Sequence, residues 1–276
     1  MTLQTLPEAA LKRILALAAH YRDHPADAFT PSPALAKFMK STSRRLYVRA
    51  ANRVGKSVHA ACKLAKLMLA HPNKKYRAVG VTNEQARQVL SNLLADFIPT
   101  KELKPGCRFT EENGWTHNLI RLKNGTSCQI KSCKQHVSTH MGADLDGVWI
   151  DEVPEQGVWL QALKRVFSKN GFVWLTFTPE GKPVDWLRKI LEAADTPWEC
   201  EVVALNRKNC PWYTQALIDK WVDEALVVPW AFKQTIYGDW EGEVVDRAFK
   251  GFETSSVSED WEELGLPSHH LGIGVD

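Results

Sequence analysis

Nine residues, RAANRVGKS at 49–57, constrain this chain more than any other stretch. They stand between a short β-type run, RRLYVRA at 44–50, and a helical run, KSVHAACKLAKLML, in which Val58, Ala61, Cys62, Ala65 and Leu69 share one face. The pattern GxxxxGK(S/T) in that setting turns closely spaced backbone N–H groups onto phosphate oxygens, and the following helix adds the positive end of its dipole. Gly55, Lys56 and Ser57 fit it. Ala50 replaces the first glycine, at a strand-to-loop turn that alanine can make if φ stays negative. The expectation is a triphosphate cradle made of Ala50, Ala51, Asn52, Arg53, Val54, Gly55, Lys56 and Ser57. Lys56 would bridge the β- and γ-phosphates, and Ser57 would hold Mg²⁺. Arg53 would add a second cation reaching the γ-phosphate or switching between states; its plain alternative is a solvated surface arginine.

A loop of this kind needs an acid at the edge of the same sheet. LDGVWIDE at 145–152 is an apolar strand ending in Asp151 and Glu152. Asp151 is expected at the Mg²⁺ and Glu152 beside the water that attacks the γ-phosphate, as general base. A third apolar strand, VWLTFTP at 173–179, ends in Thr176 and Thr178. Their hydroxyls are placed to sense the γ-phosphate and couple its loss to motion, against the alternative of a β-favouring pair before a turn.

Between these motifs the chain alternates strand and helix. YRAVGVT at 76–82 leads into NEQARQVLSNLLADFI, with Asn83 and Glu84 suited to a helix start. Asn124-Gly125 joins two β-type runs as a hairpin. WLQALKRVF lies between the DE and TFTP strands, WECEVVAL supplies another strand, and YTQALIDKWVDEALV opens a small helical region. A helix ends near His20, and the proline-rich stretch 23–33 reads as a linker. The expected class is therefore α/β, a mainly parallel sheet covered on both faces.

Composition narrows the function. The chain has 276 residues, 44% hydrophobic and 24% charged, with a formal net charge of +3, so a nucleic-acid surface would be a local patch. Six scattered cysteines without a CxxC pair read as reduced thiols. Cys128, Cys133, His136 and His140 lack zinc-finger spacing and read as strand and loop residues. No run of 18 apolar residues occurs, which removes a membrane span. Eleven tryptophans, among them Trp149, Trp159, Trp174, Trp186 and Trp212, read as core rather than as base-stacking groups.

FTPSP, ANRVGKS, GADLDGVWIDEVPE, TFTP and YGDWEG, in that order, resemble the ATPase domain of the large terminase subunit of tailed bacteriophages. The resemblance runs from about residue 29 to 240 and implies an additional-strand P-loop NTPase. After an N-terminal helix and linker over 1–28, read from the residues themselves, it implies an ATPase core over 29–206, a lid or linker subdomain over 207–250, and over 251–276 the truncated start of a ribonuclease-H-like nuclease. Asp276, in GIGVD, would be that nuclease's first metal-binding acid, part of a second divalent-metal site. The implied cofactors are ATP and Mg²⁺. The implied partners are double-stranded DNA bound without regard to sequence, the portal protein, the small terminase subunit and other copies in a ring, in the host cytoplasm. The chain departs from the family in having no glutamine in PSPALAKFMKS, the stretch before the loop, and no arginine in HMGAD, just before the DE strand; Arg108, Arg121 and Arg165 are unranked candidates for a trans-acting arginine. A helicase or DNA-repair ATPase and a small-molecule P-loop kinase are the competing readings.

Overall fold

Helix α1 (Glu8–Asp23) begins the part of the chain described by the computed structural model, which covers residues 8–179, 185–193, 198–227 and 232–240. The stretch expected as a linker instead forms the short helix α2 (Pro25–Ala28), with Pro25 in its first turn, and a 3-10 turn at Pro33–Leu35. Its Ala26 and Leu35 belong to the core, so the prolines shape a packed segment rather than a tether. After α3 (Ala36–Lys40) come β1 (Arg45–Ala50), α4 (Lys56–Ala70) and β2 (Lys75–Gly80).

The next helix is composite: α5 (Asn83–Gln85), a π-helical turn at Ala86–Leu90 and α6 (Ser91–Phe97). Its cap is Thr82, whose hydroxyl accepts the Gln85 N–H, one residue before the expected start. A two-stranded ribbon that the sequence did not signal, β3 (Phe109–Thr110) and β4 (Gly114–Trp115), precedes the Asn-Gly hairpin. That hairpin pairs β5 (Leu119–Arg121) with β6 (Ser127–Ser132) around Gly125, at φ 85°. Then follow β7 (Gly147–Asp151), α7 (Gln156–Phe167), β8 (Phe172–Phe177), α8 (Asp185–Leu191), β9 (Glu199–Val203) and α9 (Gln215–Leu226).

Seven strands form one sheet in the order β5-β6-β2-β7-β8-β1-β9. Only β5 against β6 is antiparallel. The hairpin therefore extends the sheet at one edge rather than leaving it. Strand β8 lies between β1 and β7, which makes it the additional strand. Successive residues alternate faces: Trp149 and Trp174 join the core under α4 and α6, whereas Val148, Ile150, Val173 and Leu175 join the core under α7 and α8. Covering on both faces explains why β7 and β8 are apolar up to their carboxyl ends, where Asp151 and Thr176 stand.

Helix α4 is buried on more than the one face that the spacing suggested. Ala60, Ala61, Cys62, Leu64, Ala65 and Met68 are all buried, while Val58 and Leu69 are only partly so. Small residues let it lie close to the sheet. Of the five tryptophans named above, Trp149 and Trp159 are fully buried, Trp174 is 3% exposed and Trp186 is partly buried, but Trp212 is 49% exposed and is not core. The six cysteines are free thiols. Cys128 and Cys133 are buried, His140 Nε2 lies 3.1 Å from the Ser132 carbonyl, and His136 pairs with Ser138; among the described residues no group of three or more potential ligands converges. No described helix is long and apolar enough to cross a membrane.

Candidate nucleotide site

The register brings the carboxyl ends of three strands into one row, with Arg49 beside Phe177 and Asp151 beside Thr176. Open α/β sheets bind ligands outside that edge. From it β1 runs into the loop 50–55, which is tied down on one side by Ala51 N–H to the Val203 carbonyl and Asn52 N–H to the Thr235 carbonyl. Arg53 and Gly55 both take positive φ, 62° and 87°, curling the loop so that Gly55 caps α4. Lys56 and Ser57 are thereby the first residues of the helix, at the positive end of its dipole.

Lys56 is 7% exposed, and its ammonium donates to Thr178 Oγ1 at 2.8 Å and meets Glu152 Oε1 at 3.1 Å. Thr178 Oγ1 also stands 2.9 Å from the Ala50 carbonyl and from Asn52 Oδ1. The Ser57 hydroxyl lies 2.9 Å from Asp151 Oδ1. Asp151 accepts in addition from Thr176 Oγ1 at 2.6 Å and from Gln85 Nε2 at 3.2 Å. Glu152 Oε2 accepts the Thr178 N–H at 2.9 Å. Lys56, Ser57, Asp151, Glu152, Thr176 and Thr178 thus form one connected cluster. Burial pushes the Asp151 carboxyl up, and the neighbouring Glu152 charge adds to this, against the hydrogen bonds of Thr176 and Ser57 and the charge of Lys56.

Glu152 sits at φ 71°, a left-handed conformation that a side chain enters at a cost of ~1 kcal/mol. The turn folds its carboxylate back across β8 toward Lys56, where an extended residue would have pointed it away. Glu155 caps α7 and is exposed, paired with Lys134 at 3.7 Å.

Arg53 does not join this cluster. Its guanidinium stacks 4.9 Å above the ring of Trp221 on α9, beside a cavity of about 140 Å³ lined by Leu205, Tyr213, Leu217 and Ile218. Arg108 and Arg121 are exposed, and Arg165 donates to the Gly142 carbonyl. Asp276 lies outside the described residues.

Three contributors went unread in the sequence. Gln85 reaches Asp151 from the first turn after β2, the strand beside β7; its place at that neighbouring strand end was the available signal. His59, one turn into α4, contacts the Gly55 carbonyl through Nδ1 at 2.7 Å and accepts the Ser32 N–H at Nε2, so Nδ1 carries the proton. Trp149 donates its indole N–H to Thr176.

A sheet with an inserted strand between the loop strand and the acid strand, and a lysine, a serine and two acids meeting at its edge, defines an additional-strand P-loop NTPase. The sequence profile described as terminase large subunit, T4likevirus-type, N-terminal, matches residues 48–251, and the chain belongs to that family. No curated protein matches the sequence. Among solved structures, the ATPase domain of the Thermus phage P74-26 large terminase is similar at 15% identity with a TM-score of 0.62, covering 78% of this chain and 96% of that one. The large terminase of a second thermophilic bacteriophage gives 14% identity and a TM-score of 0.61, over 77% of this chain and 54% of its own. The HK97 bacteriophage large terminase gives 13% and 0.57, over 76% and 51%. The second of these three proteins has been solved with ADP and with ATP-gamma-S. This chain spans about half the length of the second and third.

Proposed function

We propose that this chain is the ATP-hydrolysing motor of a terminase, using nucleotide turnover to drive double-stranded DNA through a portal into a procapsid. The observation that carries the reading is the meeting of Lys56 with Glu152 and Thr178, and of Ser57 with Asp151, at the mouth of a loop closed by a helix N-terminus. Lys56, as a compact charge, holds phosphate oxygens. Ser57 and Asp151 offer hard oxygen donors, one neutral and one anionic, which suit Mg²⁺. When bound, that ion would neutralise charge on the phosphate oxygens as the terminal bond breaks.

Glu152 now divides its carboxylate between Lys56 and the Thr178 N–H. A triphosphate competes for Lys56, which frees Oε1 to take the proton of the attacking water while the Thr178 amide keeps the group aimed. Thr176 and Thr178 tie the acids to β8 and to the loop, and they are the elements that would carry loss of the γ-phosphate outward. Arg53, stacked on Trp221, links the same loop to α9, which lies within the 207–250 lid.

In this reading the small terminase subunit and the portal are the protein partners, copies of the chain act as a ring, and the site of action is the host cytoplasm. In the same reading, residues from 251 would belong to a DNA-cutting nuclease, with Asp276 as one metal ligand. The test is ATPase turnover with and without duplex DNA over a salt series. Stimulation that is independent of DNA sequence and falls steeply with salt supports the motor. Stimulation by single strands together with strand separation would move the reading to a helicase.

A further inference from the structure

The exposed tryptophan beside the phosphate loop is unexplained by the chemistry above. Trp212 is 49% exposed, yet the loop that bears it is tightly fixed. Asn209 and Cys210 donate their N–H groups to the Asn206 carbonyl, Asn209 Nδ2 donates to the Ala204 carbonyl, and Tyr213 N–H to the Cys210 carbonyl. Arg207 Nη1 donates to the carbonyls of Pro211 and Tyr213, on either side of the tryptophan. Tyr213 packs edge-on at 6.0 Å and 64°, which sets the angle of the indole. A rigid loop that presents a large aromatic to water is preorganised for something with a flat apolar face.

Its position says what. A methyl group placed on Gly55 would stand 3.8 Å from Cη2 of the indole, so the ring tip reaches the residue that caps α4. The acids that face the terminal phosphate lie at the end of β7, two strands to one side of β1, whereas Trp212 follows β9, the neighbour on the other side. A nucleotide whose last phosphate points at Glu152 therefore sends its nucleoside toward β9 and this loop.

We infer that Trp212 is the stacking platform for the base of the bound nucleoside triphosphate. The inference rests on the nucleotide reading above and adds to it the residue that holds the base. Stacking accepts any base, and a purine gives the larger overlap. It would supply affinity in a chain with no glutamine in the segment before the loop.

The test compares ADP with inorganic pyrophosphate, which has the two phosphates of ADP without its nucleoside, by equilibrium binding to the full chain. Trp212→Ala is expected to raise the Kd for ADP by about 5- to 100-fold and to leave that for pyrophosphate within about twofold. Trp212→Phe should restore most of the ADP affinity. Equal loss for both ligands would mean that the loop was disturbed, and unchanged ADP binding would mean that the indole serves another surface; either overturns the inference. Wild-type protein that binds neither ligand would overturn the nucleotide reading itself, and this one with it. Pyrophosphate bound by wild type with no gain for ADP would overturn the base platform alone.

Discussion

Thr176 serves two buried groups with one oxygen. It accepts the Trp149 indole N–H at 2.9 Å and donates to Asp151 Oδ1 at 2.6 Å, and it is completely buried. Valine has the same shape but would leave the indole without its partner and Asp151 with one donor fewer, in a place where water does not reach. Thr176→Val is therefore expected to cost ~1–3 kcal/mol in urea unfolding, although the shape of the side chain is kept. A loss below about 0.5 kcal/mol would mean that the hydrogen bonds matter little. The Lys56–Thr178 contact and the left-handed φ of Glu152 follow the same logic: polar groups and strain are tolerated here because neighbouring strands hold them.

Elements far apart in sequence converge on the loop, and two of them give measurable consequences. The π-helical turn Lys233–Tyr237 ends in Gly238 at φ 68°, and a side chain there would come within 2.8 Å of the Ala50 carbonyl carbon. Gly238→Ala should lower stability by ~1–3 kcal/mol, from the positive φ and the forced backbone shift together, and should weaken nucleotide binding by moving the first residues of the loop. Calorimetry beside a binding titration checks both. Buried histidines act on α4 and β6. Burial holds His59 below its ordinary range and pushes His140 down to about 4. The unfolded chain takes up these protons near pH 6.5 and the folded chain does not, so stability contributed by neutral imidazole is full above 6.5 and falls as pH drops toward 4. Asp151, raised by burial, takes up its proton earlier in the folded chain and contributes with the opposite sign as pH falls. The histidine part is therefore read as a difference: between pH 7 and 4.5 the denaturant midpoint of His140→Gln should lose less than that of wild type.

At the scale of the whole molecule, the strands that carry chemistry were legible because their motifs sit at strand ends and their apolar runs need cover on both faces. Lys56, Ser57, Asp151 and Glu152 could be picked out for that reason. What escaped was set by contacts between distant segments: Gln85 acts through the adjacency of β2 and β7, the proline-rich segment is held by Ala26, Phe29 and Leu35 packing on the core, and Trp212 is exposed because its loop is pinned beside the phosphate cradle. No local pattern encodes such adjacency. The central claim is that these four residues form one hydrolytic centre, with binding and proton removal assigned to different side chains. Single-turnover hydrolysis of ATP by wild type and Glu152→Gln, with ATP affinity measured on the same samples, tests it most directly. The account predicts affinity within about threefold and hydrolysis slower by ~10²-fold or more; a variant that hydrolyses within a few-fold of wild type would contradict it.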